Sequence, residues 1–273
     1  MAYLGLHPFS HHRCALIIRE SRLAGDPLIP LKYLGDHLAL SLRTAQRREA
    51  LERHYAKLPD MLRADSADQL RKGVLIWQKE LPDGRPPLSI ILEASKLAPM
   101  EGELQLRFSF RSDLFVLTFL LTSGQIFDID CEDVLFIGGM QGRVGAREEM
   151  REACKSNGEI SPATMLILAI QAIGKVMQVG ELIAIDEDDQ VSMGYSRPRI
   201  SFDYRGFWTE AGGVRRGRHY AIPVETPQKP LSEITLSHRA RTRRKREAKA
   251  FVRRTIENRL RQIFRPRVEI YAP

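Results

Sequence analysis

A group transfer to an amine or hydroxyl needs a base within hydrogen-bond reach of the proton to be removed. The chain offers a short list of such groups. Glu101 and Glu103 stand two residues apart at the entry to an alternating apolar segment, Asp203 and Glu210 flank an aromatic run, and His54 and His219 are the alternatives. Taken alone, each such residue is more often a surface carboxylate or a histidine satisfied in the core.

A second constellation is Gly138-Gly139-Met140-Gln141-Gly142-Arg143-Val144-Gly145, between an apolar run and a helical segment. Glycines let backbone N–H groups approach a phosphate, and a following helix N-terminus favours negative charge. Gly138, Gly139, Gln141, Gly142, Arg143 and Gly145 are therefore candidate ligand contacts. A tight strand-to-helix connection without a ligand would use the same glycines. The spacing is neither a Walker loop, since no Lys-Ser/Thr ends it, nor GxGxxG.

The third constellation is electrostatic. Net charge is +8, and residues 236–273 carry thirteen Arg and Lys against three Glu, so the remainder of the chain is slightly acidic. Within Arg239–Arg246, Ala240 is the main apolar side chain, and Arg241, Arg243, Arg244 and Lys245 are predicted to project into solvent. They could meet anionic lipid or nucleic acid, or clamp the acidic stretches 128–133 and 187–189. Anionic lipid is the preferred partner because no base-reading motif is present.

Composition excludes several classes. With 43% hydrophobic and 28% charged residues, the chain is globular rather than disordered. The apolar region 163–185 is broken by Gln171, Lys175, Gln178 and Glu181, so no transmembrane helix is expected. Nor does the N-terminus read as a secretory signal. Cys14, Cys131 and Cys154 lack CxxC spacing, which fits neither a disulfide framework nor a zinc site and suggests a cytoplasmic setting. His7, His11 and His12 lie in a terminus expected to fray, and no metal is expected.

Elements that would position these groups follow from periodicity. Residues 1–85 read as mainly helical, up to the turn cluster Leu81–Pro87; 86–230 read as an α/β core, and 231–273 as a basic C-terminal helix and tail. Leu104, Leu106, Phe108 and Phe110 alternate with polar residues as a half-buried strand, and Leu114–Thr122 reads as a central strand. Val134–Ile137 is a short strand ending in the glycine segment. Ser161-Pro162 caps a helix over 163–178, strands follow at 182–186 and 220–224, and a short segment occupies 190–193. Phe251, Val252, Ile256, Leu260, Ile263 and Phe264 form the apolar stripe of the last helix.

Read in order, several short motifs resemble the VirK/YbjX family of bacterial proteins. They are His54-Tyr55, Glu101-Gly102-Glu103-Leu104, Ile137 to Gly142, Lys155 with Asn157-Gly158 and Pro162, the stretch Phe202-Asp203-Tyr204 to Gly212-Gly213, Tyr220-x-Ile222-Pro223, and Arg239–Arg246. The resemblance covers roughly residues 40–265. Phe202 stands where the family usually has tyrosine, so a hydroxyl role there is lost. Membership implies a bacterial cytoplasmic protein linked to envelope integrity, virulence or resistance to cationic peptides, without agreed catalytic residues. The element order is also similar to that of GNAT acyltransferases, whose strand-to-helix turn binds the pyrophosphate of acyl-CoA. Val144 stands where that signature has glycine. The expected fold is thus α/β, a helical N-terminal region on a mixed, GNAT-like sheet closed by a basic helix. The expected function is that of an enzyme transferring acyl groups from acyl-CoA or an acyl carrier protein to an envelope-related substrate, or of a remnant of such an enzyme. The alternative is a non-catalytic adaptor, peripheral to the inner membrane, that uses the basic helix.

Overall fold

In the computed structural model, which describes residues 8–82, 84–192 and 202–266, three α-helices and one 3-10 helix (Ile29–Leu34) precede the first strand, the α-helices being α1 (Pro8–Glu20), α2 (Thr44–Met61) and α3 (Ser66–Lys72). Asp83, Met193 and His7 lie outside the described residues. Helix α2 starts in a capping box in which the Gln46 side chain accepts from the Arg43 backbone N–H at 3.0 Å. It buries Ala50, Leu51, His54, Tyr55 and Leu58 on one face. The N-terminal region is not wholly helical, because β1 (Val74–Lys79) follows α3 at once. Val74, Ile76 and Trp77 are its buried positions. The turn cluster Leu81–Pro87 joins β1 to β2 (Leu88–Ala94), and the two strands pair antiparallel.

The alternating segment is β3 (Leu104–Phe110), and the apolar one is β4 (Ser112–Thr122), joined through Arg111 in the left-handed region. Next comes β5 (Val134–Gly142), then α4 (Arg147–Ser156) and α5 (Pro162–Met177). Helix α5 begins as its sequence predicts, with the Ser161 hydroxyl accepting from Thr164 N–H and proline in the first turn. It is buried almost all round and packs on β3, β4, β5 and β6 (Glu181–Ala184). Helix α6 (Tyr204–Glu210), the exposed strand β7 (Val214–Arg216), β8 (His219–Ile222) and α7 (Leu236–Leu260) complete the fold.

The eight strands lie in the order β1-β2-β3-β4-β5-β6-β8-β7. Every neighbouring pair is antiparallel except β5 and β6. That pair joins Val134–Ile137 to Glu181–Ala184 and ends with Ile185 N–H donating to Ile137 O at 3.0 Å. Past Ile137, β5 runs on without β6. The α5 crossover links these two parallel strands, as a parallel pair requires.

Helix α7 docks on α5 and β1 by Val252, Ile256 and Leu260, followed by the buried Ile263 and Phe264. Phe251, placed on that stripe by spacing, is instead 64% exposed. A strict three-to-four step admits Val252 but not its neighbour. Among the described residues, no helix is long and apolar enough to cross a membrane.

Candidate active site

Glycines 138 and 139 do not form a turn. The strand continues through Gly142, and the turn proper lies at 143–146, where Gly145 has φ +77°. Strand β4 pairs Thr118 with Gly139 and Phe119 with Ile137, which leaves Gly138 as an extra residue in a bulge. The reason for glycine is Glu101. A Cβ at Gly138 would stand 1.9 Å from the Glu101 carbonyl oxygen, and one at Gly139 would stand 1.8 Å from Glu101 Oε2. The two motifs singled out separately from sequence are therefore halves of one site.

Glu101 reaches this position on a short loop pinned at several points. Its N–H donates to Ala98 O, and Leu38 N–H donates to Met100 O. Gly102 is pressed against the Phe119 backbone, where a Cβ would lie 2.6 Å from the nitrogen. The carboxylate is buried, 3% exposed, and Gln141 Nε2 donates to both of its oxygens at 2.9 Å. Burial pushes its pKa up from the ordinary carboxylate value to about 7, against hydrogen bonds from Gln141, Ser192 and Thr118 that favour the charged form. A cavity of about 270 Å³ opens beside it, lined by Leu97, Leu114, Phe115, Val116, Gly142 and Arg143 among others. A mostly apolar pocket holding one perturbed carboxylate has the form of an acid–base site.

Tyr204 closes the side from which β6 has departed. Its hydroxyl accepts from Met140 N–H at 3.0 Å and from Gln190 Nε2 at 2.6 Å, and donates to Met140 O at 2.5 Å. Sequence reading passed over Tyr204, Gln190 and Ser192 as site residues. The only signal was Tyr204's place beside Asp203, and the other two carry no local pattern.

The remaining candidates fall elsewhere. Glu103 is buried in a different polar group, accepting from Tyr55 Oη at 2.5 Å and Lys32 Nζ at 2.9 Å, with His37 Nε2 3.4 Å away. His54 is also buried, and its Nδ1 accepts from Leu121 N–H at 3.2 Å. Burial, then the charge of Lys32, holds the pKa values of His37 and His54 down at about 3, so both are neutral imidazoles at pH 7. Tyr55 is raised well above the phenolic value by burial and by Glu103. Lys32 lies in the short 3-10 helix Ile29–Leu34 and His37 in the irregular segment after it, neither with an apolar periodicity that would mark them, which is why sequence reading missed them.

Asp203 caps α6, its Oδ1 accepting from Gly206 N–H at 2.9 Å. Glu210 ends that helix, exposed. His219 is buried beside Asp189, with burial lowering its pKa. Arg143 pairs with Glu149 at 2.7 Å, and the first turn of α4 already carries Glu148 and Glu149. Those carboxylates complement the helix dipole themselves.

In the basic segment Arg241, Arg243 and Arg244 are exposed, but Lys245 is half-buried. Arg239 donates to Ile234 O and Ser232 O, and Arg246 to Lys229 O. The acidic stretches do not clamp them. Asp133 pairs with Arg53 and Lys57, Asp186 and Asp188 with Arg205, and Asp189 with Ser41.

Among the described residues the architecture is thus a mixed-sheet α/β protein with a buried carboxylate at the divergence of its parallel strands. The chain belongs to the family described as protein of unknown function (DUF535), whose profile matches residues 15–256. It is 28% identical over 236 residues to "Uncharacterized protein YbjX" of Escherichia coli K12, covering 82% of this chain and 70% of that protein. It is also 28% identical over 116 residues to an "Uncharacterized protein" of Haemophilus influenzae Rd, 41% of this chain and 40% of that one. No solved structure matches significantly.

Proposed function

We propose that the protein is a cytoplasmic acyl-transfer enzyme in which Glu101 is the general base, acyl-CoA or an acyl carrier protein is the donor, and the acceptor is an envelope-related amine or hydroxyl. The observation that carries this reading is the buried Glu101 carboxylate, with its pKa near 7, facing a cavity where β5 leaves β6. A base with a pKa near the working pH is both deprotonated and strong enough to accept a proton. The strand order from β4 through β7, with one parallel pair bridged by a helix, also supports a GNAT-like layout. In the reaction the acceptor nitrogen or oxygen attacks the thioester carbonyl carbon, the C–S bond breaks, and the thiolate leaves. Glu101 takes the acceptor's proton. Gln141 holds the carboxylate, while Gly142 and Arg143 line the wall available to the donor.

Isothermal titration of CoA, acyl-CoA of several chain lengths and acyl carrier protein tests this. Binding to the wild type, weakened at least tenfold in Arg143→Ser, is expected; no binding by any donor contradicts it.

The adaptor reading has one specific observation in its favour, the exposed Arg241, Arg243 and Arg244. On that reading the protein lies peripheral to the inner membrane, with anionic lipid ahead of nucleic acid as partner. Flotation with anionic vesicles and DNA gel shift at about 50 mM salt, where screening is weak, are expected to separate the wild type from a variant with these three and Lys245 changed to Ser. Equal behaviour would sink it.

A further inference from the structure

Helix α7 presents two chemically different halves to the body of the protein. Its C-terminal half buries Val252, Ile256 and Leu260. In the preceding turns the positions spaced by four are Lys245, Lys249 and Arg253, which share one helix face. With Arg246 they line a cleft of about 490 Å³ between α5, α6 and α7. Its apolar walls include Ile167, Leu168, Phe207 and Ala250, and Lys229 adds a fifth cation. Among the described lining residues Glu210 is the one carboxylate.

Lysines ordinarily keep their ammonium groups in water. Here Lys245 and Lys249 are both half-buried, and neither is in a hydrogen bond or ion pair with a described residue. Burial pushes Lys249 below its ordinary pKa, the charge of Lys245 pushes the same way, and Glu210 offsets part of this. Arg253 is held by the Val224 carbonyl and pairs with Glu257 at 3.4 Å, which matches part of its charge, while Arg246 is held by the Lys229 carbonyl and supplies positive potential at a fixed position. Such an arrangement is self-repelling until an anion enters. One carboxylate would leave most of the charge unmatched, whereas a phosphate monoester brings up to two negative charges and three acceptor oxygens.

We infer that the cleft between α5, α6 and α7 is a binding site for a phosphate monoester, its phosphate on Lys245 and Lys249 and its remaining body along Phe207, Ile167 and Leu168. The apolar wall favours a lipid source over a soluble one, and the volume lies in the range of small-molecule sites. The cleft shares no lining residue with the cavity beside Glu101, so the inference goes beyond the acyl-transfer reading and stands or falls separately.

The test uses the full chain and three probes: lysophosphatidic acid below its micelle concentration, glycerol 3-phosphate, which keeps the phosphate and lacks the chain, and lysophosphatidylcholine, which keeps the chain without net charge. Calorimetric binding of lysophosphatidic acid at least tenfold tighter than the other two supports a lipid source. Equal binding of the two phosphate monoesters supports a soluble source of the same chemistry. In both cases Lys245→Gln with Lys249→Gln should weaken binding at least tenfold, and the surface variant Arg151→Ser should bind as the wild type does. Relief of repulsion predicts that Lys249→Gln alone raises the ligand-free melting temperature while losing the rise that ligand produces. The inference is overturned if neither phosphate monoester binds the wild type up to about 1 mM, if the lysine variant binds unchanged, or if Lys249→Gln melts lower without ligand.

Discussion

Glu101 is costly to the folded protein at neutral pH, and this gives the site a signature independent of any substrate. Its folded pKa of about 7 lies above the ordinary value of 4.5. The folded state therefore holds the proton more tightly than the unfolded chain does. This group's favourable contribution is complete below about pH 4.5 and is lost as pH rises through about 7. At one pKa unit per 1.36 kcal/mol the loss is about 3 kcal/mol. Denaturant unfolding of the wild type beside Glu101→Gln should show the Gln variant gaining about that much relative stability between pH 4.5 and 8. A constant difference across that range would mean that the carboxylate titrates normally. Glu101 and its glycines were legible in sequence as chemistry-bearing types, but not as neighbours. Gly138 lies thirty-seven positions after Glu101, and the contact is made by a loop and a bulge that no periodicity encodes.

Where an element is governed by local rules, its sequence predicted it well. Helix α5 begins at the Ser161-Pro162 cap as expected, and β3 follows its alternating pattern. Ser161→Ala removes the acceptor for Thr164 N–H and should cost about 1 kcal/mol in denaturant unfolding. An unchanged midpoint would mean that tertiary packing alone fixes the start of α5. Elements governed by distant partners were misread. The run Gly138–Gly142 looks like a loop by composition, since glycine weakens strands, yet pairing with β4 and the need to admit Glu101 make it strand. Strand β1 hides between helical sequence and a turn cluster and becomes visible through its pairing with β2. The exposed strand β7 has no apolar alternation to announce it.

For the molecule as a whole, one sheet gathers segments from residue 74 to residue 222, with β1 bringing in the N-terminal region and α7 returning to pack on β1. The buried polar groups divide the work. Glu103 also borders a cavity, of about 190 Å³, but its carboxylate is held by Tyr55 and Lys32, with His37 close by, whereas Glu101 borders the cavity of about 270 Å³ with Gln141 as its anchor. That contrast makes Glu101, among the carboxylates considered, the one suited to exchange a proton with a bound reactant. The most direct measurement is the carboxyl titration of Glu101 by carbon-13 NMR on glutamate-labelled protein, assigned by its loss in Glu101→Gln and repeated with saturating acyl-CoA. An inflection near pH 7 that moves when the acyl donor is present is the predicted result. An inflection in the ordinary carboxylate range, or one near 7 that no acyl donor displaces, would contradict the assignment of Glu101 as the base of an acyl transfer.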